Sequence, residues 1–404
     1  MLSGDTVRVI VLVVAAVPLV YYLLSLYCIW DYFHALRRLA PPKESFTPPA
    51  SILKPVRGLD SEAYANFASY CRLNYPEYEI IFATGDPQDP VITVVRKLQK
   101  DFPERQIRLI TDVERLGENN KVNNLCRMVK EARYDLLVMT DSDIRVEANY
   151  LREVTAPFVD RSVGGVTSFA RSAGGGSFSA ELSKLDMCAD SIPSALVARK
   201  LEGKVQFAFG WTMATTKKIL AEIGGWEAMV NHHSDDFELG NRIAGLGYRV
   251  EFMREPVTMV APQESFAEFL THSLRWAIGL RNVRPAGYFG MIFTQGLPWA
   301  VLAAVVAGSA GWAATAALYV LGYLVLRFLV AWTAGVWGLR DSAIAGKLWL
   351  VPLRDALTAA IWLAGFFSNK INRRGLEYRV KNKVLIPVGE RTPPAGPREK
   401  PALQ

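Results

Sequence analysis

Residues 7–29 carry a single charge, Arg8, and are long enough to cross a bilayer as one helix. This segment constrains the fold more than any other, because backbone in lipid must satisfy its own hydrogen bonds and so must be helical there. No small-residue cleavage site follows, and Trp30, Asp31 and His34 come at once, so it reads as a retained anchor rather than a secretory signal. The basic residues Arg37, Arg38 and Lys43 place the chain beyond it in the cytoplasm. A second apolar zone, residues 288–339, has room for two crossings with a break near Gly308 to Gly311. Arg327 inside it must face protein or snorkel. A third stretch, 348–367, is interrupted by Arg354 and Asp355 and reads as a re-entrant or interfacial helix whose charges pair locally. Lys370, Arg373, Arg374, Arg379, Lys381 and Lys383 follow it. Two full crossings plus a dipping segment would keep this basic stretch cytoplasmic.

The expected organisation is an anchor over 1–33, a proline-stiffened linker over 34–49 and a cytosolic domain over 50–262. An interfacial helix (263–286), transmembrane or re-entrant helices (287–369) and a basic, partly disordered tail (370–404) complete it. The net charge of +7 comes with no run resembling a nucleic-acid-binding arm; the basic residues gather where a protein meets an anionic leaflet. The four cysteines, Cys28, Cys71, Cys126 and Cys188, lack metal-type spacing and read as structural thiols in a reducing compartment.

Between the apolar zones, strand-like runs at 51–53, 79–84, 107–110 and 135–140 alternate with amphipathic stretches at 61–73, 91–101 and 121–132. This alternation predicts an α/β domain with a mostly parallel sheet and helices on its faces. Ligands of such sheets bind beyond the carboxyl ends of the strands. Asp141-Ser142-Asp143 falls there, after the apolar run Leu136 to Met139. Two carboxylates one residue apart are hard ligands suited to Mg2+ or Mn2+ on a phosphate, although a strand end is polar in any case. Lys54 and Arg57, after the first strand, could face phosphate charge or belong to an ordinary basic loop. Asp86 and Asp89, after the second, could accept hydrogen bonds from a ribose or base edge, or simply form the turn. Lys121, in the Asn-rich loop that includes Asn123, sits where a helix N-terminus would attract an anion; Asn capping is the alternative. His232 and His233 are adjacent, point apart and make a poor metal pair. Asp235 and Asp236 are candidates for helix caps or for a general base, and spacing does not choose between them. Residues 263–284 are amphipathic and basic, with Phe266, Phe269, Leu270, Leu274 and Ile278 against Arg275, Arg281 and Arg284, as suits a membrane interface.

Taken together, the motifs Leu53-Lys54-Pro55-Val56-Arg57-Gly58, Asp89-Pro90, Lys121-Val122-Asn123-Asn124, Asp141-Ser142-Asp143, Asp235-Asp236-Phe237 and His272-Ser273-Leu274-Arg275-Trp276 resemble the ceramide glucosyltransferase family. These are membrane-bound, inverting GT-A glycosyltransferases with hopanoid-modifying relatives in bacteria. Each motif is weak alone; six in order make the signal. The resemblance implies a nucleotide contact at Asp89, with Asp86 close by. It implies a divalent ion held by Asp141 and Asp143, a catalytic base at Asp236, and roles for Arg275 and Trp276 at the donor diphosphate and the acceptor. His272 stands where the family has Gln or Arg, and Asp143 where animal relatives have Gly.

The expected function is transfer of one hexose, glucose by preference, from a UDP-sugar to the primary hydroxyl of ceramide or a similar lipid. The enzyme would sit in a bacterial inner membrane with its catalytic domain in the cytoplasm. A UDP-N-acetylglucosamine-dependent hopanoid glycosyltransferase is the alternative, ahead of a processive polysaccharide synthase or an inactive lipid-sensing scaffold. Gly174 to Gly176 and residues 177–201 would shape the acceptor entrance or be an ordinary loop and core helix. Gly210 would permit close approach near the sugar, with Trp211 beside it there or in the core.

Overall fold

The computed structural model describes residues 3–39, 45–60, 62–174, 176–261, 264–373 and 376–388. Pro41, Pro42, Lys43, Ser61, Gly175, Gln263, Arg374 and the tail after Val388, which fall within segments read above, lie outside them.

Thirteen strands occur among the described residues: β1 (Ala50–Pro55), β2 (Tyr78–Ala83), β3 (Ile107–Ile110), β4 (Leu136–Met139), β5 (Ile144–Arg145), β6 (Val163–Thr167), β7 (Ala170–Ala173), β8 (Met213–Thr216), β9 (Arg249–Phe252), β10 (Val257–Val260), β11 (Lys370–Arg373), β12 (Leu376–Lys381) and β13 (Val384–Pro387). The main sheet has the order β3-β2-β1-β4-β8-β6-β9. Its first four strands run parallel, and β8 runs antiparallel between β4 and β6. Every residue of β1, β2 and β4 is buried, because helices cover both faces; β4 is therefore a continuous apolar run, and β1 and β2 are broken only by the buried Ser51, Lys54 and Glu79 instead of alternating. Crossover helices Ala63–Cys71, Val91–Asp101 and Asn120–Glu131 match the amphipathic stretches of the sequence.

Register sets the site. Leu53 of β1 lies opposite Met139 of β4, so Lys54 and Thr140 end side by side. Met139 in turn faces Met213 of antiparallel β8, which brings the Gly210 turn beside Asp141. The carboxyl ends of β1, β2 and β4 therefore form one edge with Gly210 as its wall.

Helices Gly4–Ala15 and Val17–Arg38 run on as one apolar element of 35 residues, and Ala313–Gly338 is a second of 26. Both are long and apolar enough to cross a membrane. Pro285–Thr294 and Gly296–Ser309 are bent by 48° and together make a third candidate. The break near Gly308 to Gly311 is a tight turn in which Gly311 adopts φ +74°. Small residues let the helices approach: Ala303 and Ala307 bury against Leu12 and Ala15. Tyr22, Ile29, Tyr323 and Val330 share one continuous core with the strands, so the membrane helices and the α/β domain are a single packing unit.

The charges of the membrane region pair across elements rather than within one. Arg327 is 4 % exposed. Its guanidinium meets Asp355 at 2.7 Å and Asp190 at 2.5 Å. Tyr323 donates to Asp355 at 2.9 Å. Arg354 pairs with Asp186. The partners expected to be local therefore lie in a different part of the chain, and the ion pairs lock helix Val351–Ala364 and the membrane helix onto residues 186–190.

Residues 370–373 and 376–387, within the stretch read as a basic tail, form an antiparallel sheet, β11-β12-β13. It packs Ile371, Tyr378, Val380 and Leu385 against Ile278 and Leu274 of helix Phe266–Val283. The cysteines are free and buried, and burial pushes the Cys71 and Cys126 thiols up to about 12, as inert structural thiols require.

Candidate active site

At the end of β4, the Asp141 N–H donates to the Gly210 carbonyl at 3.2 Å. A Cβ on Gly210 would stand 2.5 Å from Asp141 Oδ2, so only glycine leaves the carboxylate its place. Ser142 hydrogen-bonds Asp60, a residue that no sequence motif singled out. Burial pushes the Asp143 carboxyl up to about 7, and the like charges of Asp141 and Asp60 add to the effect, offset in part by Lys54. Crowded carboxylates of this kind ionise readily only when a cation joins them.

The residues fit a divalent ion of the Mg2+ or Mn2+ type on chemical grounds. Asp141 and Asp143 are hard oxygen donors, and the Gly210 wall leaves the Asp141 carboxylate room. Among the described residues no three His, Cys, Asp or Glu side chains converge to close a metal site. An ion here would complete its shell with water and ligand phosphate, as Mg2+ usually does.

Lys121 follows Asn119, whose side chain caps helix Asn120–Glu131. Its ammonium lies 2.7 Å from Asp141 Oδ1 and 3.0 Å from Asp235 Oδ2. Burial opposes its charge, but Asp141, Asp235 and Asp236 outweigh that and hold its pKa above the ordinary lysine value. Asn119 also donates to the His232 carbonyl at 2.9 Å and to Asp235 at 3.3 Å. Asp235 is thus buried and anchored; Lys121 holds its carboxyl below the usual range against the effect of burial. Asp236 differs. Its Oδ1 accepts the Phe237 N–H at 2.7 Å, and burial with the Asp235 charge pushes its carboxyl up to about 6. The two neighbouring carboxyls are thus pushed in opposite directions, Asp235 down and Asp236 up, a difference that spacing alone left open.

Three expected substrate contacts, Lys54, Asn123 and Asp89, are instead buried and bonded within the protein. Lys54 has no exposed surface; its ammonium donates to Thr140 Oγ1 at 2.8 Å and the Asp141 carbonyl at 2.9 Å, over the Tyr70 ring. It braces the strand end from below and cannot touch a phosphate from there. Burial lowers its pKa to about 7 despite Asp143, Asp141 and Asp60. Asn123 is 3 % exposed, with its oxygen accepting from the Leu116 and Gly117 N–H groups and its amide donating to the Gly117 carbonyl. It fixes the loop before the helix.

Asp89 is also buried and accepts the Gly58 and Val91 N–H groups, each at 2.9 Å. It ties the Gly58 turn, at φ +71°, to the end of β2. Arg57 and Asp86 are exposed on the two loops that it joins. On helix Phe266–Val283, His272 lies 3.6 Å from Glu264 and edge-on to Trp276, which is 54 % exposed. The charge of Arg275, on the same helix, acts on His233. His233 is buried beside Gly279, where a Cβ would come within 2.6 Å of its Nε2. Burial first, then Arg373 and Arg275, push the imidazole down to about 3, so it is neutral. Trp211 is core, stacked on Phe209 at 4.4 Å. Asp60, Asn119 and His233 also lie at this cluster, and only Asn119 carries a sequence signal, as a cap before a helix.

The fold and the strand-edge acids define a GT-A-type α/β domain joined to membrane helices. A solved structure of similar fold is a mannosyltransferase, PcManGT from Pyrobaculum calidifontis, in complex with GDP-Man and Mn2+, with a TM-score of 0.55 and 17% identity over 88% of this chain and 99% of that one. The chain belongs to glycosyl transferase family 21, whose model matches residues 10–386. Similar sequences include ceramide glucosyltransferase 3 of Caenorhabditis elegans, 24% identical over 58% of this chain and 51% of that protein. Ceramide glucosyltransferase 1 of the same organism is 23% identical over 64% and 55%. The ceramide glucosyltransferase of Candida albicans is 31% identical over 25% and 21%. The chain thus spans about half the length of the first two relatives.

Proposed function

We propose that this protein is an inverting, membrane-bound glycosyltransferase that moves one hexose from a UDP-sugar to the primary hydroxyl of ceramide or a similar lipid. The relatives named ceramide glucosyltransferase support the reaction class and the acceptor class. The observation that carries the reading is the junction of Asp141, Lys121 and Asp235, which sets a strand-end acid for a diphosphate against the loop that presents Asp236.

Asp141 and Asp143 would hold a divalent ion, Mg2+ or Mn2+, which when bound neutralises charge on the donor diphosphate. Asp236 takes the proton of the acceptor hydroxyl as that oxygen attacks the anomeric carbon. The bond from that carbon to the diphosphate breaks on the opposite face, so a single displacement inverts configuration. Lys121 and Arg275 stabilise the negative charge left on the diphosphate. Asp89 contributes by holding the Gly58 turn, and Asp86 and Arg57 offer exposed polar groups to the nucleotide. Trp276, exposed on an amphipathic helix, and His272 beside it suit the acceptor side, where lipid arrives by lateral diffusion. The site would face the cytoplasmic leaflet.

The test is mass spectrometry of lipids from cells making the intact chain and from cells making Asp141→Ala. A glycolipid one hexose heavier than its parent, present only with the intact chain, supports the reading and identifies the acceptor lipid. The same lipid profile in both contradicts it.

A further inference from the structure

The β11-β12-β13 sheet has two unlike faces. Ile371, Tyr378, Val380 and Leu385 are buried against helix Phe266–Val283. On the other face the register sets Lys370 directly opposite Arg379, Arg379 opposite Ile386, and Lys381 opposite Val384. Lys370, Arg379, Lys381 and Ile386 are exposed there. Like charges directly across a ladder destabilise it, so the Lys370–Arg379 pairing is a cost to the isolated sheet. Among the described residues none of the three cations takes part in an ion pair. Glu377, on the same face two residues from Arg379, stands opposite Asn372.

This cationic face adjoins the membrane region. Phe366 packs on Tyr288, at the start of the bent candidate span, with ring centroids 5.2 Å apart. Phe367 beside it is 82 % exposed. Lys370 follows three residues later, within about 11 Å along the chain. The turn between them is fixed. Arg281 donates to the Ser368 carbonyl at 2.9 Å, the Lys370 N–H to Ser368 Oγ at 3.1 Å, and the Val380 N–H to the Asn369 carbonyl at 2.8 Å. Lys370, Arg379 and Lys381 therefore stand at the end of the sheet that continues from the exposed aromatic, with Ile386 beside them. Cations mixed with exposed apolar side chains at the margin of membrane helices match a surface of anionic headgroups.

The hairpin that carries two of these cations also holds the acid loop. Its two-residue turn has Asn382 at φ +50° and Lys383 at φ +69°, the tight connection that fixes strand register. Lys381 enters that turn from the cationic face. Lys383 leaves it toward the loop: its ammonium sits 2.9 Å from Glu238, and its carbonyl accepts the His233 N–H at 2.9 Å. The Leu385 N–H donates to the Asn231 carbonyl at 2.8 Å, and Val384 forms a bridge with His232. Asp235 and Asp236 follow at once. We propose that Lys370, Arg379 and Lys381 bind anionic lipid headgroups of the leaflet, and that this contact steadies the loop bearing Asp235 and Asp236. The sheet thereby couples the charge of the leaflet to the order of the site. Only the consequence for turnover rests on the sugar-transfer reading; the binding itself does not.

The experiment uses the full chain in nanodiscs of phosphatidylcholine, alone or mixed with phosphatidylglycerol, and follows hydrogen–deuterium exchange of residues 376–387 and 230–236. No nucleotide or acceptor is present, so the outcome is independent of the reaction. The wild type is compared with two triple variants. One combines Lys370→Gln, Arg379→Gln and Lys381→Gln; the other combines Lys370→Arg, Arg379→Lys and Lys381→Arg. Phosphatidylglycerol should slow exchange of both segments by about fivefold or more in the wild type and in the charge-keeping variant, and by less than about twofold in the glutamine variant. Equal exchange of the wild type in the two lipids overturns the proposal. So does slowing that persists in the glutamine variant, or slowing that inorganic phosphate reproduces in plain phosphatidylcholine, which would mark a site for a free anion. Slowing of 376–387 without 230–236 supports the headgroup contact and overturns its coupling to the acid loop. In plain phosphatidylcholine the glutamine variant should melt no lower than the wild type, because it relieves the opposed charges. A lower melting temperature would contradict their placement.

Discussion

Lys121 Nζ lies 2.7 Å from Asp141 Oδ1, and the same ammonium reaches Asp235 Oδ2 at 3.0 Å. One cation links the acid at the end of β4 to the acid at the start of helix Asp235–Gly245. Lys121→Met leaves the buried Asp235 with Asn119 as its remaining side-chain donor, facing Asp141 unscreened. The expected cost is about 1–3 kcal/mol of stability together with weakened donor binding. Thermal unfolding of the detergent-solubilised chain measures the first and nucleotide titration the second.

Asp236→Asn removes the proton acceptor while keeping shape and the Asp235 anchor. Turnover should fall by about 10²–10⁴-fold while UDP-sugar affinity stays near wild type. A single-turnover assay with acceptor lipid in vesicles, beside a binding titration, separates the two quantities.

The pH dependence has a definite sign. Burial and Asp235 push the Asp236 carboxyl up to about 6, so the rate should fall as pH drops through about 6. The raised value also means that the folded chain binds this proton more tightly than the unfolded chain. The contribution to stability is therefore most favourable at acid pH and is lost as pH rises through the folded value. Asp236→Asn should consequently stabilise the fold at pH 7.5 by on the order of 1 kcal/mol, seen as a raised melting temperature, and do so much less at pH 4.5. Thermal scans at the two pH values check this.

Arg327 neutralises Asp355 and Asp190 inside the packed membrane region. Arg327→Met leaves both acids without their guanidinium and should destabilise by about 3–5 kcal/mol, detaching helix Val351–Ala364. The double change Arg327→Met with Asp355→Leu removes charge from both sides and should recover a large part of that loss. Melting temperatures of the three chains in one detergent decide it.

What the sequence revealed and what it hid follow from the range of the interactions. β1, β2 and β4 are legible because strands covered on both faces are mostly apolar, broken here only by Ser51, Lys54 and Glu79. Asp141 and Asp143 were legible because they end one of these runs. The burial of Lys54 was not, since it depends on the β1–β4 register that sets Lys54 beside Thr140. The β11-β12-β13 sheet reads as a basic tail because Lys370, Arg379 and Lys381 dominate its short strands; its apolar side finds cover on Ile278 and Leu274, far away in sequence. For the same reason Arg354 and Asp355 seemed to need local partners, whereas Asp186 and Arg327 come from other elements. The division of labour between Asp235 and Asp236 rests on Lys121 and Asn119, which no spacing rule reports.

The most direct measurement is equilibrium binding of a UDP-sugar to the purified full-length chain with and without Mg2+ or Mn2+, repeated on Asp141→Ala with Asp143→Ala. The account predicts tight binding that requires the divalent ion and is lost in the double variant. Binding of equal strength without any divalent ion, unchanged when both aspartates are removed, would contradict it.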